Sequence, residues 1–208
     1  VPDPTRDHPE TDEQLLEQLR AGKREAFGPL VRRYERELYG YLRRYLGDDD
    51  LADDVFQNTF VQVFLKIAQF EPGRAARPWL YAIATNQAID ALRRKSRRAD
   101  RRADAAALDE EGEPRPLYEL LPAADAAPPD HADAAEQRRL VRAAVDRLPE
   151  LLRQVVLLTY FQGMKYKDAA DVLGIPVGTV KSRLHAALAK LTEDWTSSNA
   201  ECGVRNAE

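Results

Sequence analysis

Cysteine is almost missing from this chain: Cys202 stands alone among 208 residues, so no intramolecular disulfide can form. Histidine is nearly as scarce. His8, His131 and His185 lie far apart in sequence, a spacing unsuited to a zinc site. Long apolar runs are also lacking. No stretch approaches the roughly 20 apolar residues of a membrane span, and residues 1–10 carry no apolar segment of the secretion type. These absences lead us to expect a soluble protein of a reducing cytoplasm, with no metal and no cofactor. As a redox sensor Cys202 has little support, because nothing around it marks an activated thiolate.

What the chain has instead is charge and helix-forming residues. Charged side chains make up 32% of the sequence, glycine is sparse inside the periodic stretches, and Ala, Leu, Arg, Asp and Glu dominate. An all-α protein is expected, and the length admits one large domain or two small ones. The net charge of -4 does not exclude nucleic acid, because DNA feels charge only within a screening length of roughly 8 to 10 Å. The charge is segmented: residues 72–102 hold nine Lys/Arg against Asp90 and Asp100, whereas residues 103–150 hold twelve Asp/Glu against five Arg.

Hydrophobic periodicity sets out the organisation. Leu30, Val31, Tyr34, Leu38, Tyr41, Leu42 and Tyr45 recur at helical spacing and stop at Gly47. After Asp48, Asp49 and Asp50, which suit a helix N-terminus, Val55, Phe56, Thr59, Phe60, Val63, Phe64 and Ile67 form a second stripe expected to be buried. Pro72, Gly73 and Pro78 predict a loop over residues 71–78. A helix over residues 79–98 follows, with Asn86, Asp90, Arg93 and Arg97 on its polar side. Residues 99–133, rich in Ala, Asp, Glu and Pro, read as a flexible acidic linker. Periodicity returns over residues 134–195. Residues 1–11 and 196–208 are expected to be disordered ends.

Residues 166–184 have the layout of a helix-turn-helix. Ala169 and Ala170 allow close helix approach, Gly174 suits a left-handed turn, and Pro176 has the dihedral angle of a helix start. In the second helix Val177, Val180, Leu184, Leu188 and Leu191 are expected to face inward, leaving Gly178, Ser182, His185 and Ala186 for a major groove. The plainer alternative is an ordinary helical hairpin with a solvated face. A second basic, aromatic-bearing domain at the other end of a linker weighs against it.

These segments together carry a family resemblance. The string from Leu148 to Val156, followed by a helix-turn-helix ending Gly178-Thr179-Val180-Lys181-Ser182-Arg183-Leu184, resembles region 4 of the extracytoplasmic-function sigma factors, a branch of the sigma-70 superfamily. The segment Ala52 to Phe60 is similar to the region 2 helix that grips the RNA polymerase clamp, and Trp79 to Asn86 resembles the minus-10 segment. Departures occur at Asn58, where the family usually has Glu, and at Ala186, where arginine is common. Sequence preference therefore does not carry over.

The resemblance implies an all-α chain of two small helical domains, a region 2 bundle over residues 12–98 and a region 4 helix-turn-helix over residues 134–195, joined by the linker. It implies polymerase contacts by Asp53, Asp54, Gln57 and Phe60. Minus-10 contacts would come from Phe70, Arg74, Arg77, Trp79, Asn86, Asp90, Arg93, Arg94 and Arg97. Minus-35 contacts would come from Lys167, Thr179, Lys181, Ser182, Arg183 and His185. Partners would be core polymerase, promoter DNA as duplex and as non-template single strand, and an anti-sigma factor. Aromatic capture of an extruded base returns roughly 1 to 3 kcal/mol against about 1.4 kcal/mol of lost stacking per base-pair step, so binding can drive local melting. For Trp79, plain core packing competes with stacking on a base.

Two other functions compete. A free-standing helix-turn-helix regulator would bind duplex DNA without polymerase. A metal-dependent nuclease would use the carboxylates near Asp53, but these sit at i, i+1 and i+4 positions of one helix, a poor cage, and no acid-base or nucleophile arrangement accompanies them, so no enzyme activity is expected. A linker of about 35 residues has a root-mean-square span of roughly 30 to 35 Å, so the domains are expected to lie closer in solution than promoter elements about 70 Å apart. The acidic linker is further expected to rest on basic DNA-binding surfaces, a contact that salt would weaken.

Overall fold

The computed structural model describes the backbone of residues 10–106 and 132–204, and the side chains of residues 10–97 and 139–195. The described residues form helices and no strand. Most of the expected linker, the ends at 1–9 and 205–208, and the Cys202 side chain lie outside what is described, as does any linker contact with basic surfaces.

The N-terminal module is built from α1 (Asp12–Arg20), α2 (Phe27–Leu46), α3 (Asp49–Lys66) and α4 (Ala76–Ala106). Its helix ends follow from local chemistry. Thr11 and Gln14 form a reciprocal capping box at the start of α1. α2 ends at Gly47, whose φ of 64° is the left-handed conformation that glycine tolerates. Asp48 then caps α3 by accepting from the Leu51 amide at 3.0 Å, and its other oxygen holds Lys95 of α4 at 2.8 Å. The amide at the start of α4, which has no partner within its own helix, is satisfied from α1, because Ala76 N donates to Glu13 Oε1 at 2.9 Å.

The second module contains α5 (Ala132–Asp146), α6 (Glu150–Val156), a π-helical turn (Leu157–Phe161), α7 (Tyr166–Leu173) and α8 (Val177–Val204). Gly174, with φ 62°, makes the turn between α7 and α8, and the Pro176 carbonyl accepts from the Thr179 and Val180 amides in the first turn of α8. The two modules are docked: α7 packs against α4 as well as α8, and the buried apolar residues of both form one continuous core.

Several sequence expectations need correction. α4 runs to Ala106 rather than Arg98, and α8 to Val204 rather than Trp195. No proline interrupts residues 99–106 or 196–204, and the alanine- and arginine-rich continuation of α4 favours helix even without packing. Phe64, Val177 and Leu188 are exposed instead of buried. On α8 the buried stripe is Val180, Leu184 and Ala187, with Leu191 packed against it. That stripe is narrow because α6 and α7, with a smaller contribution from α5, leave the rest of the helix uncovered.

Candidate nucleic-acid interface

Three outward faces emerge from these helices. The first lies on α3. Asp53, Asp54 and Gln57 are exposed on its first turns, while Phe60 is buried against Phe27 and Phe56, with ring centroids 6.1 and 5.1 Å away. Phe60 thus supports this face from beneath. The apolar residues that do reach solvent are Val61, Phe64 and Leu65. Asp54, Gln57, Val61 and Leu65 follow one another at three- and four-residue steps, so they share a stripe. Phe64 has the period of the buried stripe yet is exposed, whereas Val61 and Leu65 fall outside that period, and their offset is the signal in the sequence for this apolar continuation.

The second face lies on α4 and the loop before it. Arg74, Asn86, Asp90, Arg93, Arg94 and Arg97 are exposed, and Asn86, Asp90, Arg93 and Arg97 line up along one side of the helix. Asp90 stands 3.9 Å from Arg93, with both side chains largely in solvent, so their mutual attraction is weak and leaves the guanidinium available. Phe70 and Trp79 are different. They are buried, with ring centroids 5.2 Å apart. Neither offers a face to a base, and core packing accounts for Trp79. Their effect is positional, since they anchor both ends of the exposed loop residues Glu71 to Ala75.

Arg77 is half-buried and already engaged. It pairs with Glu37 of α2 and donates from Nη2 to the backbone carbonyl of Gln162 at 2.8 Å. Beside it, burial and the neighbouring Glu37 carboxylate hold the Tyr81 hydroxyl far above the ordinary phenol range, so it stays protonated and can donate.

The third face lies on α8 and the start of α7. Lys181, Ser182 and His185 are exposed, Thr179 and Arg183 are partly covered, and Lys167 is exposed on α7. Ser182 Oγ donates to the Thr179 carbonyl at 3.1 Å, which orients the hydroxyl along the helix surface. Among the described residues no His, Cys, Asp and Glu cluster could hold a metal ion, and no helix is long and apolar enough to cross a membrane.

Similarity to known proteins follows the same division. The family description Sigma-70 region 2 matches residues 30–98, and Sigma-70, region 4 matches residues 138–191. The ECF RNA polymerase sigma factor SigW of Bacillus subtilis is 32% identical over 170 residues, 82% of this chain and 89% of that protein. The RNA polymerase sigma-H factor of Pseudomonas aeruginosa is 34% identical over 180 residues, 86% of this chain and 90% of its own. Among solved structures, CnrH in complex with the cytosolic domain of CnrY superposes with a TM-score of 0.63 at 27% identity, over 90% of this chain and 99% of that one.

Proposed function

The chain belongs to the extracytoplasmic-function sigma factors, and from that membership we propose that it binds RNA polymerase core and directs it to promoters as a non-catalytic specificity subunit of the cytoplasm. The observation that carries this reading is the presence, in one chain and in family order, of a basic stripe on α4 and an exposed polar face on α8. A free-standing duplex-binding regulator has a use for the second face but none for the first.

The division of labour follows from the surfaces. Asp53, Asp54 and Gln57, continued by Val61 and Leu65, form the polymerase-binding stripe. On α4, Arg93, Arg94 and Arg97 hold backbone phosphates, which position the protein without reading sequence. Asn86 and the loop with Arg74 shape the site for an extruded base of the non-template strand, and Phe70 and Trp79 hold that loop in place. Lys181, Ser182 and His185 approach base edges of the upstream element, with Lys167, Thr179 and Arg183 alongside. CnrH is seen with the cytosolic domain of CnrY, and an anti-sigma factor belongs among the partners proposed for this chain.

Transcription from a promoter library with purified core enzyme tests the proposal. The chain should confer initiation at a subset of sequences that core alone does not use. Arg93→Ala or Arg97→Ala should weaken binding at all of them alike and reduce the salt slope by about 1 each, while Ser182 and His185 variants should shift the preferred upstream sequence. Duplex binding without core-dependent transcripts would support the free-standing regulator instead.

A further inference from the structure

Four consecutive residues at the start of α1 are all engaged, and between them they tie three helices together. Thr11 and Gln14 cap α1 itself. Asp12 is clamped to α2, where Arg33 Nη1 donates to its Oδ1 at 2.5 Å and the Tyr34 hydroxyl to its Oδ2 at 2.6 Å. Burial and the Asp12 carboxylate hold that hydroxyl far above the ordinary phenol range, so it keeps the proton it donates. Glu13 turns to the third helix and accepts from the Ala76 amide of α4 at 2.9 Å.

Ala76 stands where the loop Glu71 to Ala75 ends, and that loop supplies no cap of its own. A helix start is ordinarily capped by Ser, Thr, Asp or Asn in the residue before it, whereas Glu71-Pro72-Gly73-Arg74-Ala75 contains none of these. The cap comes instead from 63 residues upstream, with a negative charge that suits the positive end of the helix dipole.

The loop is held within itself and at its entry as well. The Arg74 amide donates to the Glu71 carbonyl at 3.2 Å, and Pro72 and Gly73, with φ 81° at the glycine, fill the central positions as a type II turn requires. Phe70 fixes the entry through its buried packing on Trp79. α1 lies against both flanks, touching Ile67–Gln69 before the loop and α4 after it. We propose that Glu13 is a positioning residue for single-strand capture: by holding the Ala76 amide it fixes the exit of the loop, which then keeps the shape that receives an extruded base. A carboxylate has nothing to offer a phosphate, so its effect runs through the loop rather than through contact with DNA. The capture role rests on the function proposed above for this loop; the bracing of the loop does not.

The test compares Glu13→Ala, which cannot accept from Ala76, with Glu13→Gln, whose side-chain carbonyl still can. Far-UV circular dichroism and thermal melting verify the fold of each full-length variant. In the free chain, hydrogen exchange at the Ala76 amide should speed up about tenfold or more in Glu13→Ala and far less in Glu13→Gln. With core polymerase bound, fluorescence anisotropy then measures affinity for a non-template single strand in which an abasic site is moved along one position at a time. In wild type one position should cost at least about fivefold. In Glu13→Ala that penalty should shrink toward nothing, because the intact strand binds more weakly while the abasic strand keeps its phosphate contacts on α4. Glu13→Gln should restore the penalty. Arg33→Ala, which loosens the clamp on α1 without touching α4, is a second route and should move both readings the same way by less.

Unchanged exchange at Ala76 in a folded Glu13→Ala chain would overturn the bracing. Faster exchange with the abasic penalty intact would overturn the role in capture, and so would an equal loss of affinity for intact and abasic strands, the mark of general loosening. A wild type that binds core yet shows no abasic penalty at any position would refute base capture by this loop and with it the role of Glu13, while the exchange series still decides the bracing.

Discussion

The two modules are stabilised by different kinds of core. In α1 to α4 the interior is aromatic: Tyr34, Tyr41, Tyr45, Phe60, Phe70, Trp79 and Tyr81 are all buried. The hydroxyls are tied across helices, as in the bond of 2.8 Å between Tyr41 and Thr85 and the bond of 2.6 Å from Tyr34 to Asp12. In α6 to α8 the interior is aliphatic and small, made by Val155, Val156, Leu157, Leu158, Ala169, Ala170, Val172, Val180, Leu184 and Ala187. The first module anchors large rings at both ends, which fixes the loop between Phe70 and Trp79. The second is a slight helical unit that completes its burial on α2 and α4, and its unfolding is expected to leave the first intact.

Breaking the aromatic core should have the largest effect. Trp79→Ala is expected to cost about 3 to 5 kcal/mol in denaturant unfolding and to weaken capture of non-template single strand, since the loop loses its anchor. Leu158→Ala in the aliphatic core should cost about 2 to 5 kcal/mol with a different signature. With Trp195 replaced by Phe so that Trp79 is the sole reporter, helical signal should fall before Trp79 fluorescence changes. Coincident transitions would mean that the modules form a single cooperative unit.

The same substitution at the two left-handed turns sharpens the contrast. Gly47→Ala and Gly174→Ala meet no atom within 4 Å at the new Cβ, so each should cost only the backbone penalty of about 1 to 2 kcal/mol. Gly174→Ala should impair upstream duplex binding measured by fluorescence anisotropy, whereas Gly47→Ala should leave it unchanged.

The smallest effects are electrostatic and opposite in sign. The Lys95 bond, helped by the Leu51 amide, holds the Asp48 carboxyl below its usual range, so its contribution is full above the unfolded value near 3.9 and lost as pH falls through the folded one. Burial raises the Asp146 carboxyl despite the nearby Arg153, Arg44 and Arg142. Its charged form therefore opposes folding at neutral pH, and that penalty disappears as pH falls below the unfolded value. Unfolding across pH should show Asp48→Asn less stable than wild type and Asp146→Asn more stable, with both differences shrinking in acid.

Much of this was legible in residue spacing. The stripe from Leu30 to Tyr45, the caps at Gly47 and Asp48, and the turn at Gly174 are local features, and local chemistry sets them. Spacing is a poorer guide where tertiary cover decides. Phe64, Val177 and Leu188 have the right period for burial, yet no neighbouring helix reaches far enough round to cover them. Phe60, Phe70 and Trp79 matched positions associated with contact surfaces but lie inside, because aromatic rings that shape a surface can do so from below. The contact between modules was beyond reach, since Gln154 and Gln162 look like ordinary surface residues until Tyr45 and Tyr81 are seen opposite them, more than 80 residues away in sequence.

The most direct test of the central claim, that one chain brings two DNA-reading modules to core polymerase, is initiation rate on promoters whose two elements are moved apart one base pair at a time. A single sharp optimum, abolished by removing either element or the core enzyme, is the expected result. A rate indifferent to spacing would contradict it.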